Sequence, residues 1–529
     1  MTLKPDEIFG EYRALLQSKS TFGKRGMYEQ NRINERFYIG DQWYGAKCGN
    51  DRPLVRHNII KRIGDYKMSQ VLSSPATVEF SAEGQPLMRD LAITKENAFD
   101  GTLNDIELVT KAFGKYFDTT CERLNFGDLQ DKVLRNSYIS GTGVLYTYWD
   151  STVETGLFAD DLKRVKIKGD ICCQVLNIED VYFGDSYIED VQNQFYIIIS
   201  SNLDTATVMR EAKLYGADSK TLKRIEESAQ DGKITLLTKL FKEYKPDGTY
   251  TIKCIKVCEA AVVRPVFDTK LRLYPISIFK WERKNNSPYG ESEITYLIPN
   301  QIAINRMITA NVWSAMTTGM PIMLVNGDTV NEKITNEPGQ IIKVFGSNED
   351  VAGAVKYVVP PTFEKDYDNS INSLINNTLT QSGANEVALG DSRPDNASAL
   401  LTMRDAALKP LQIVKNRFYT FIEETARIWA EFWIMQYGKR KIKISDISGI
   451  WYLPFDSEKY KNLLINTKVE VANDEVYTEK ERVSTLLSLF DKGVINRNEL
   501  LSRLPDGVIS DKWALINNTG AEVTKNDGT

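Results

Sequence analysis

Few residues of this 529-residue chain have the types and spacing that catalysis or metal binding requires. His57 is the single histidine, which argues against Ser-His-Asp or Cys-His catalysis and leaves no multi-histidine metal site. The sequence contains no GxxxxGK(S/T) phosphate-binding loop and no GxGxxG dinucleotide fingerprint. We therefore predict that the protein is not an enzyme, that it has no catalytic residues, and that it holds no metal and no cofactor.

Two weaker patterns leave alternatives open. Cys254 and Cys258 would share one face of a strand, but a metal site would need two more ligands, so ordinary packing is the favoured interpretation. The acidic pairs Asp160-Asp161 and Glu179-Asp180 could hold Mg²⁺ in a nucleic-acid-processing enzyme, although solvated acids are favoured. Six cysteines are too few for a disulfide scaffold, and the polar start of the chain suggests no targeting segment.

The composition is that of a globular protein with several structural units, 42% hydrophobic and 26% charged. The net charge is −5, whereas proteins that grip duplex DNA usually carry a basic excess. One stretch, residues 19–67, has 11 basic and 5 acidic side chains interleaved with aromatic residues. It could contact nucleic acid by charge and stacking, but a solvated face with core aromatics, or a subunit contact, is favoured.

The elements of the first half read as an α+β body. Residues 1–130 are predicted to be mostly helical. Short β-type runs then follow, and the turn Pro246-Asp247-Gly248 between two alternating runs predicts a hairpin. The predicted strands are Val144–Trp149, Arg164–Ile171, Phe195–Ser200, Ile234–Tyr244 and Tyr250–Val257.

The segment Pro288–Gly438 has a different character, because its helices carry very little charge. Glu291–Thr318 is predicted to form one helix, with Pro299 near its regular start and an apolar stripe through Ile298 and Ile302. Three short apolar runs follow, at Ile322–Val325, Ile341–Val344 and Val355–Val359. The uncharged stretch Met307–Gly327 is long enough to cross a bilayer, but its polar residues and Pro321 favour a buried helix running into a strand.

Two further helices complete this segment. Asp368–Gln381 has an apolar stripe formed by Ile371, Leu374, Ile375 and Leu379. After a loop at Asn385–Asn396, a long helix is predicted to reach about Tyr437 and to end near Gly438. Pro410 should kink it, because proline lacks the amide hydrogen and clashes with the preceding turn. The apolar stripe of this helix is Leu411, Val414, Phe418, Phe421, Ile422, Ile428, Trp429, Phe432 and Met435.

Three stretches, in this order along nearly the whole chain, resemble tailed-bacteriophage portal proteins, the head-to-tail connectors of phage capsids. They are NRINERFYIGDQWYG (31–45), SPYGESEITYLIPNQIAINRM (287–307) and NEVALGDSRPDNASALLTMRDAALKPLQIVKNRF (385–418). No single motif is decisive. The order and spacing of helix, insert, helix, loop and kinked helix carry the resemblance.

The resemblance implies an α+β portal-type fold, with an α/β wing, a two-helix stem, a small β-containing clip, a long kinked helix and a short helical crown. Mapped onto this chain, the wing is 1–287, with 439–474 returning to it. Stem helix one is 288–320, the clip is 321–363 and stem helix two is 364–384. The tunnel loop is 385–397, the long kinked helix is 398–438, and the crown and tail are 475–529.

The resemblance also implies a function and partners. A homo-oligomeric ring of about twelve copies would occupy one vertex of the virion capsid, after synthesis in the host bacterial cytoplasm. Double-stranded DNA would pass through it during genome packaging and ejection, with no membrane involved. The terminase large subunit, the major capsid or scaffolding protein and a head-completion (adaptor) protein would dock on the ring.

Site residues follow from the same mapping. The DNA-facing tunnel loop contributes Asn385, Glu386, Leu389, Asp391, Arg393, Asp395 and Asn396. Further candidate channel-lining residues are Asn372, Asn376, Lys409, Lys415 and Arg417. Residues 366–397 carry five acidic side chains and one basic side chain. A channel that must let a polyanion slide should avoid phosphate contacts, so a neutral wall and an acidic loop suit this role.

Overall fold

A computed structural model describes residues 4–23, 25–46, 53–73, 76–83, 101–158, 166–318, 322–326, 328, 330, 343–346, 353, 355–358, 365–384, 409–446, 449–461, 463–471 and 479–504. Helices and strands are both abundant, which confirms the α+β class. The chain divides into two compact units. The body unit comprises Met1–Gln30, Met68–Ser292 and Lys409–Thr529, and the hairpin unit comprises Asn31–Lys67 and Glu293–Leu408.

Helices and strands are interspersed along the chain. In order, the α-helices are α1 (Pro5–Ser20), α2 (Met27–Ile39), α3 (Ile59–Leu72), α4 (Gly101–Leu124), α5 (Phe126–Ser140), α6 (Thr205–Leu214), α7 (Ser219–Glu227), α8 (Glu293–Thr318), α9 (Lys365–Gln381), α10 (Gln412–Gln436), α11 (Ser457–Tyr460), α12 (Glu479–Asp491) and α13 (Arg497–Arg503). Short 3₁₀ turns lie at Ile178–Asp180, Val191–Asn193 and Lys409–Leu411.

The strands form antiparallel sheets. They are β1 (Ala76–Glu83), β2 (Thr142–Phe158), β3 (Lys166–Leu176), β4 (Val181–Phe183), β5 (Tyr196–Asp204), β6 (Lys233–Tyr244), β7 (Tyr250–Cys258), β8 (Ala261–Asp268), β9 (Ile276–Lys280), β10 (Ile322–Val325), β11 (Val355–Val358), β12 (Lys439–Asp446), β13 (Gly449–Asp456) and β14 (Leu464–Val471). The body unit contains the sheets β3-β2-β9 and β4-β5-β6-β7-β8 and the pairs β1-β14 and β12-β13, while β10-β11 belongs to the hairpin unit.

The hairpin predicted at Pro246-Asp247-Gly248 is confirmed. β6 and β7 pair in register up to Tyr244 opposite Tyr250. The Asp247 carboxylate accepts hydrogen bonds from the backbone and hydroxyl of Thr249 at 2.9 and 2.6 Å. An aspartate that bonds the backbone two residues ahead stabilises a tight turn, so local chemistry alone specifies this connection.

Helix α10 is the centre of the body unit. Trp433 contacts the rings of Phe113 and Tyr116 at 5.2 and 5.0 Å between centroids, and Trp429 contacts those of Phe117 and Phe126, each at 5.1 Å. Its predicted apolar stripe is largely buried, but its opposite sides are buried as well. A helix that is buried around most of its circumference belongs to a core rather than to a surface.

Two predictions about the ends of the long helix have different outcomes. The helix ends at Gln436, and Gly438 has φ +63°, as expected for a glycine that terminates a helix. Pro410 is exposed in the 3₁₀ turn Lys409–Leu411, just before α10 begins at Gln412. Residues 398–408 lie outside the described residues, so the kink at Pro410 stays a prediction.

The cysteines of β7 have structural surroundings. Cys254 and Cys258 are both buried, and each belongs to a different hydrophobic cluster. The pairing of β7 with β8 is irregular on either side of Lys256, between the two cysteines. Burial raises the pKa of the Cys254 thiol to about 12, so this thiol is protonated and inert at neutral pH.

Candidate channel-wall hairpin

In the hairpin unit, helices α8 and α9 run antiparallel. The Asn300 side-chain amide donates to the Thr378 hydroxyl at 3.2 Å, while Asn311 donates to the Asp368 carboxylate at 2.7 Å. A residue later in α8 thus contacts a residue earlier in α9, which is the arrangement of a helical hairpin. On α9 the predicted stripe is borne out, since Ile371 and Leu379 are buried and Leu374 and Ile375 are half-buried.

A β-ribbon lies between these helices in chain order. β10 and β11 pair antiparallel, from Ile322 opposite Val358 to Val325 opposite Val355. Two of the three predicted apolar runs are therefore strands, and the third, Ile341–Val344, lies partly outside the described residues. Leu324 and Val325 are 52% and 39% exposed, so the ribbon presents apolar side chains at its surface.

The polar residues Gln301 and Asn305 of α8 are buried and do not form an open surface. Gln301 is 1% exposed and Asn305 is 2% exposed. The Gln301 side chain donates to the carbonyl of His57 at 2.6 Å and accepts from the amide of Ile59 at 3.0 Å. Asn305 accepts from the His57 amide at 3.0 Å. The polar stripe of α8 thus satisfies the backbone of an extended segment.

Thr309 continues the same stripe. Its hydroxyl accepts from the amide of Val55 at 3.2 Å. Gln301, Asn305 and Thr309 are spaced by four residues, so they lie on one helix face and follow residues 55–59 along the helix. The spacing is visible in the sequence. The role of these three residues is not visible in the sequence, because the backbone that they bind lies more than 240 residues earlier in the chain.

Glu293, one of the few charged residues of α8, forms an ion pair. Glu293 accepts from Lys67 at 2.6 Å, and the two side chains are only 9% and 10% exposed. A buried, hydrogen-bonded ion pair is costly to break from one side, because the remaining charge is left unpaired. Arg306 is exposed.

Helix α9 has the surface that α8 lacks. Asn372 and Asn376, predicted to line a channel, are exposed and lie one turn apart. Their exposed neighbours from residue 369 to the end of the helix are uncharged, and they are Asn369, Ser370, Ser373, Asn377, Thr380 and Gln381. Asp368, one turn before Asn372, is exposed and charged, and its carboxylate accepts from Asn311. From Asn369 to Gln381 this face presents amides and hydroxyls over roughly three and a half turns with no formal charge. It therefore matches the neutral surface expected of a channel wall.

The remaining predicted site residues have mixed outcomes. Lys409 is exposed, as a channel-lining residue should be. Lys415 is only 3% exposed and lies in the interior of the body unit, so its prediction as a channel-lining residue is wrong. Arg417 donates to the carbonyl of Trp281 at 2.5 Å, and burial lowers the pKa of its guanidinium. The tunnel-loop residues Asn385, Glu386, Leu389, Asp391, Arg393, Asp395 and Asn396 lie outside the described residues.

Several members of the basic stretch 19–67 have structural roles. The Lys19 ammonium is buried and donates to the carbonyls of Ile178, Glu179 and Val181 at 2.5, 3.2 and 2.7 Å. Burial lowers its pKa to about 7, against the raising effect of Asp180 and Glu179. In the hairpin unit, the Arg36 guanidinium stacks 3.2 Å from the centre of the Tyr44 ring. Charges used in this way favour the structural interpretation of the stretch.

The described residues contain no group of three or more His, Cys, Asp or Glu side chains arranged to hold a metal ion. Of the acidic pairs, Glu179 and Asp180 flank Lys19, and Asp160 and Asp161 lie outside the described residues. No helix in the described part is both long and apolar enough to cross a membrane. A comparison with models of protein families and with curated proteins found no match to this chain.

Proposed function

We propose that this chain is the subunit of a bacteriophage portal, a non-enzymatic ring through which duplex DNA enters and leaves the capsid. The observation that carries the proposal is the hairpin of α8 and α9, which are joined in chain order through the β10-β11 ribbon. The exposed face of α9 on this hairpin is uncharged from Asn369 to Gln381. The order helix, ribbon, helix corresponds to the stem, clip and stem of the family that the sequence resembles.

The electrostatics support DNA passage rather than DNA gripping. Each phosphate neutralised by a basic side chain releases a counterion, so every such contact adds affinity that depends on salt. The α9 face offers Asn372, Asn376 and their uncharged neighbours instead. Amide side chains can exchange hydrogen bonds between water and phosphate at little net cost. A polyanion would therefore slide past this face without a strong site to hold it.

Exposed apolar residues of the hairpin unit support assembly with further copies of the chain. Tyr296 and Met316 of α8 are 56% and 57% exposed, and Leu324 of the ribbon is 52% exposed. Exposed apolar side chains mark an interface where they form a contiguous patch, so the proposal requires that these residues meet those of a neighbouring copy. A closed ring would bury them between identical subunits, because each copy supplies both sides of a head-to-tail contact.

The remaining partners follow from the same proposal. The clip, residues 321–363, would receive the terminase motor during packaging and the head-completion protein afterwards. The capsid or scaffolding protein would hold the ring at one vertex. DNA would contact the stem and the tunnel loop only transiently.

Imaging of the purified full chain tests the proposal. Electron microscopy should show rings with a central hole, and mass photometry should give a single assembly of about twelve subunits. The proposal requires that the oligomer is a ring and that its central hole is wide enough for a DNA duplex. A stable monomer at all protein and salt concentrations, or an oligomer without a central hole, would refute the function.

A further inference from the structure

A cleft in the body unit has the features of a ligand site and is unrelated to the channel-wall hairpin. Its volume is about 670 Å³, within the range that small-molecule sites occupy. Strands of both large sheets and the C-terminal end of α10 line it. Its walls combine aromatic residues, among them Tyr146, Tyr148, Phe267 and Phe432, with aliphatic ones such as Leu236 and with uncharged polar ones such as Asn202.

Arg264 is the most informative residue of this cleft. Its guanidinium lies 3.4 Å from the centre of the Phe267 ring and 4.4 Å from that of Tyr215. Its Nε is buried and has no hydrogen-bond partner in the described part of the chain. A buried guanidinium N–H that lacks an acceptor is costly, unless an anion completes its hydrogen bonds.

The neighbours of Arg264 bring an internally neutralised ion pair and a neutral donor. Lys256 lies opposite it in the β7-β8 register and is bound to Glu211 at 2.7 Å. Burial raises the pKa of Tyr146, so its hydroxyl stays protonated and available as a donor. The thiol of Cys254 is also protonated at neutral pH and therefore brings no negative charge.

The two carboxylates that line the cleft do not neutralise Arg264. Asp180 is under the electrostatic influence of Lys19, and Asp268 accepts from the backbone of Lys270 at 2.7 Å. The cleft therefore keeps the Arg264 guanidinium without a carboxylate partner, among aromatic and aliphatic side chains and uncharged polar ones such as Asn202. We propose that it binds a small organic oxyanion, with Arg264 contacting the anionic group and the aromatic walls contacting a flat apolar body.

Calorimetric titration of the full chain with benzoate tests this site, because benzoate combines a carboxylate with a flat apolar ring. Benzamide is the matched neutral probe, and inorganic phosphate is the oxyanion without an apolar body. Benzoate should bind saturably and more tightly than either. Absence of saturable benzoate binding, or equal binding of benzamide or phosphate, would overturn the proposal.

Variants locate the binding. Arg264→Gln should weaken benzoate binding roughly tenfold, since a hydrogen bond to a charged group is lost. Arg503→Gln, at an exposed position of α13, should leave it unchanged. If Arg264→Gln does not fold, Tyr146→Phe removes only a hydroxyl and should weaken binding by about threefold to tenfold. Unchanged affinity in the variant that folds would contradict the site. None of these outcomes affects the imaging test of the ring.

Discussion

Gln301 and His57 are joined through a side-chain amide and a main-chain carbonyl, 2.6 Å apart, across 244 positions of sequence. The same amide accepts from Ile59 at 3.0 Å, so a single side chain satisfies both a donor and an acceptor of an extended segment. Asn305 and Thr309 continue the pattern. Helix α8 is therefore held to residues 55–59 by a row of hydrogen bonds from its polar side chains.

Replacing Gln301 by alanine should destabilise the hairpin unit by about 1–2 kcal/mol, because the His57 carbonyl and the Ile59 amide lose their side-chain partner and keep only the 2.9 Å bond between them. Thermal unfolding should show the loss, and hydrogen exchange at the amide of Ile59 should accelerate. Asn372→Ala on the exposed face of α9 is the control and should change stability by less than about 0.5 kcal/mol. Unchanged exchange at Ile59 in Gln301→Ala would contradict this assignment.

Gly290 should tolerate no side chain. A Cβ at this position would lie 2.4 Å from the carbonyl oxygen of Gly141, and one at Gly141 would lie 2.5 Å from that of Gly290. The obstructing atoms are backbone, so Gly290→Ala should cost more than about 2 kcal/mol or prevent soluble expression. Gly10→Ala is the matched control, because Gly10 lies in α1 with open space around it. It should stabilise the protein by about 0.5–1 kcal/mol. Thermal unfolding of both variants measures the difference.

The stability of the body unit should depend on Glu424. Burial, followed by the charge of Asp190, raises the pKa of this carboxyl to about 7. The folded state therefore binds more protons than the unfolded state between about pH 4.5 and 7. The contribution of Glu424 to the free energy of unfolding is fully present below about pH 4.5 and is lost as pH rises through about 7.

Glu424→Gln should remove this dependence. The variant should be more stable than the parent at pH 8, by on the order of 1–3 kcal/mol, with the difference shrinking towards about pH 4.5. Denaturant unfolding at several pH values gives the comparison, with the exposed Glu227→Gln as control. A variant that is less stable than the parent at pH 8 would show that the carboxylate is stabilised by its neighbours instead.

Positive charge on the exposed face of α9 should turn a passive wall into one that holds DNA. The double substitution Asn372→Lys and Asn376→Lys should leave ring assembly intact, because both side chains are exposed. It should strengthen DNA binding by the ring, with a slope of log affinity against log salt steeper by up to about 0.9 for each phosphate that a new lysine neutralises. Packaging of DNA into capsids should fall.

Gln17→Lys, combined with Ser18→Lys on α1, adds the same charge at exposed positions of the body unit and serves as the control. It should alter neither the salt slope nor packaging. If the α9 variant and the control behave alike in both assays, α9 does not face DNA. A ring that fails to form with the α9 variant would instead place these asparagines in a subunit contact.

Local sequence patterns are enough for the elements themselves. The turn at Pro246-Asp247-Gly248 depends on bonds within five residues, and the stripe of Ile371 and Leu379 depends on the helical period. The same holds for the strands at 322–325 and 355–358, which are short apolar runs between turn signals. In each case the residues that cause the element to form lie within that element, so the sequence pattern predicts it.

The roles of individual polar residues cannot be read in this way. The charge of Lys415 suggests a channel surface, yet this side chain is buried. Gln301 and Asn305 read as a neutral wall, yet they bind backbone from the region before α3. A helix period tells which residues share a face, but only packing tells what that face meets.

The sequence by itself determined the α+β class, the shortage of charge between Pro288 and Gly438, and the order of helix, ribbon and helix. These features follow from composition and from periodicities of about two and 3.6 residues. The tertiary structure decided which of the helices α8 and α9 keeps an exposed polar face. It also left the Nε of Arg264 without an acceptor among the described residues, in a cleft lined in part by aromatic side chains. Both outcomes depend on contacts between distant parts of the chain, and hydrogen-bond satisfaction at such contacts is settled only when the chain is packed.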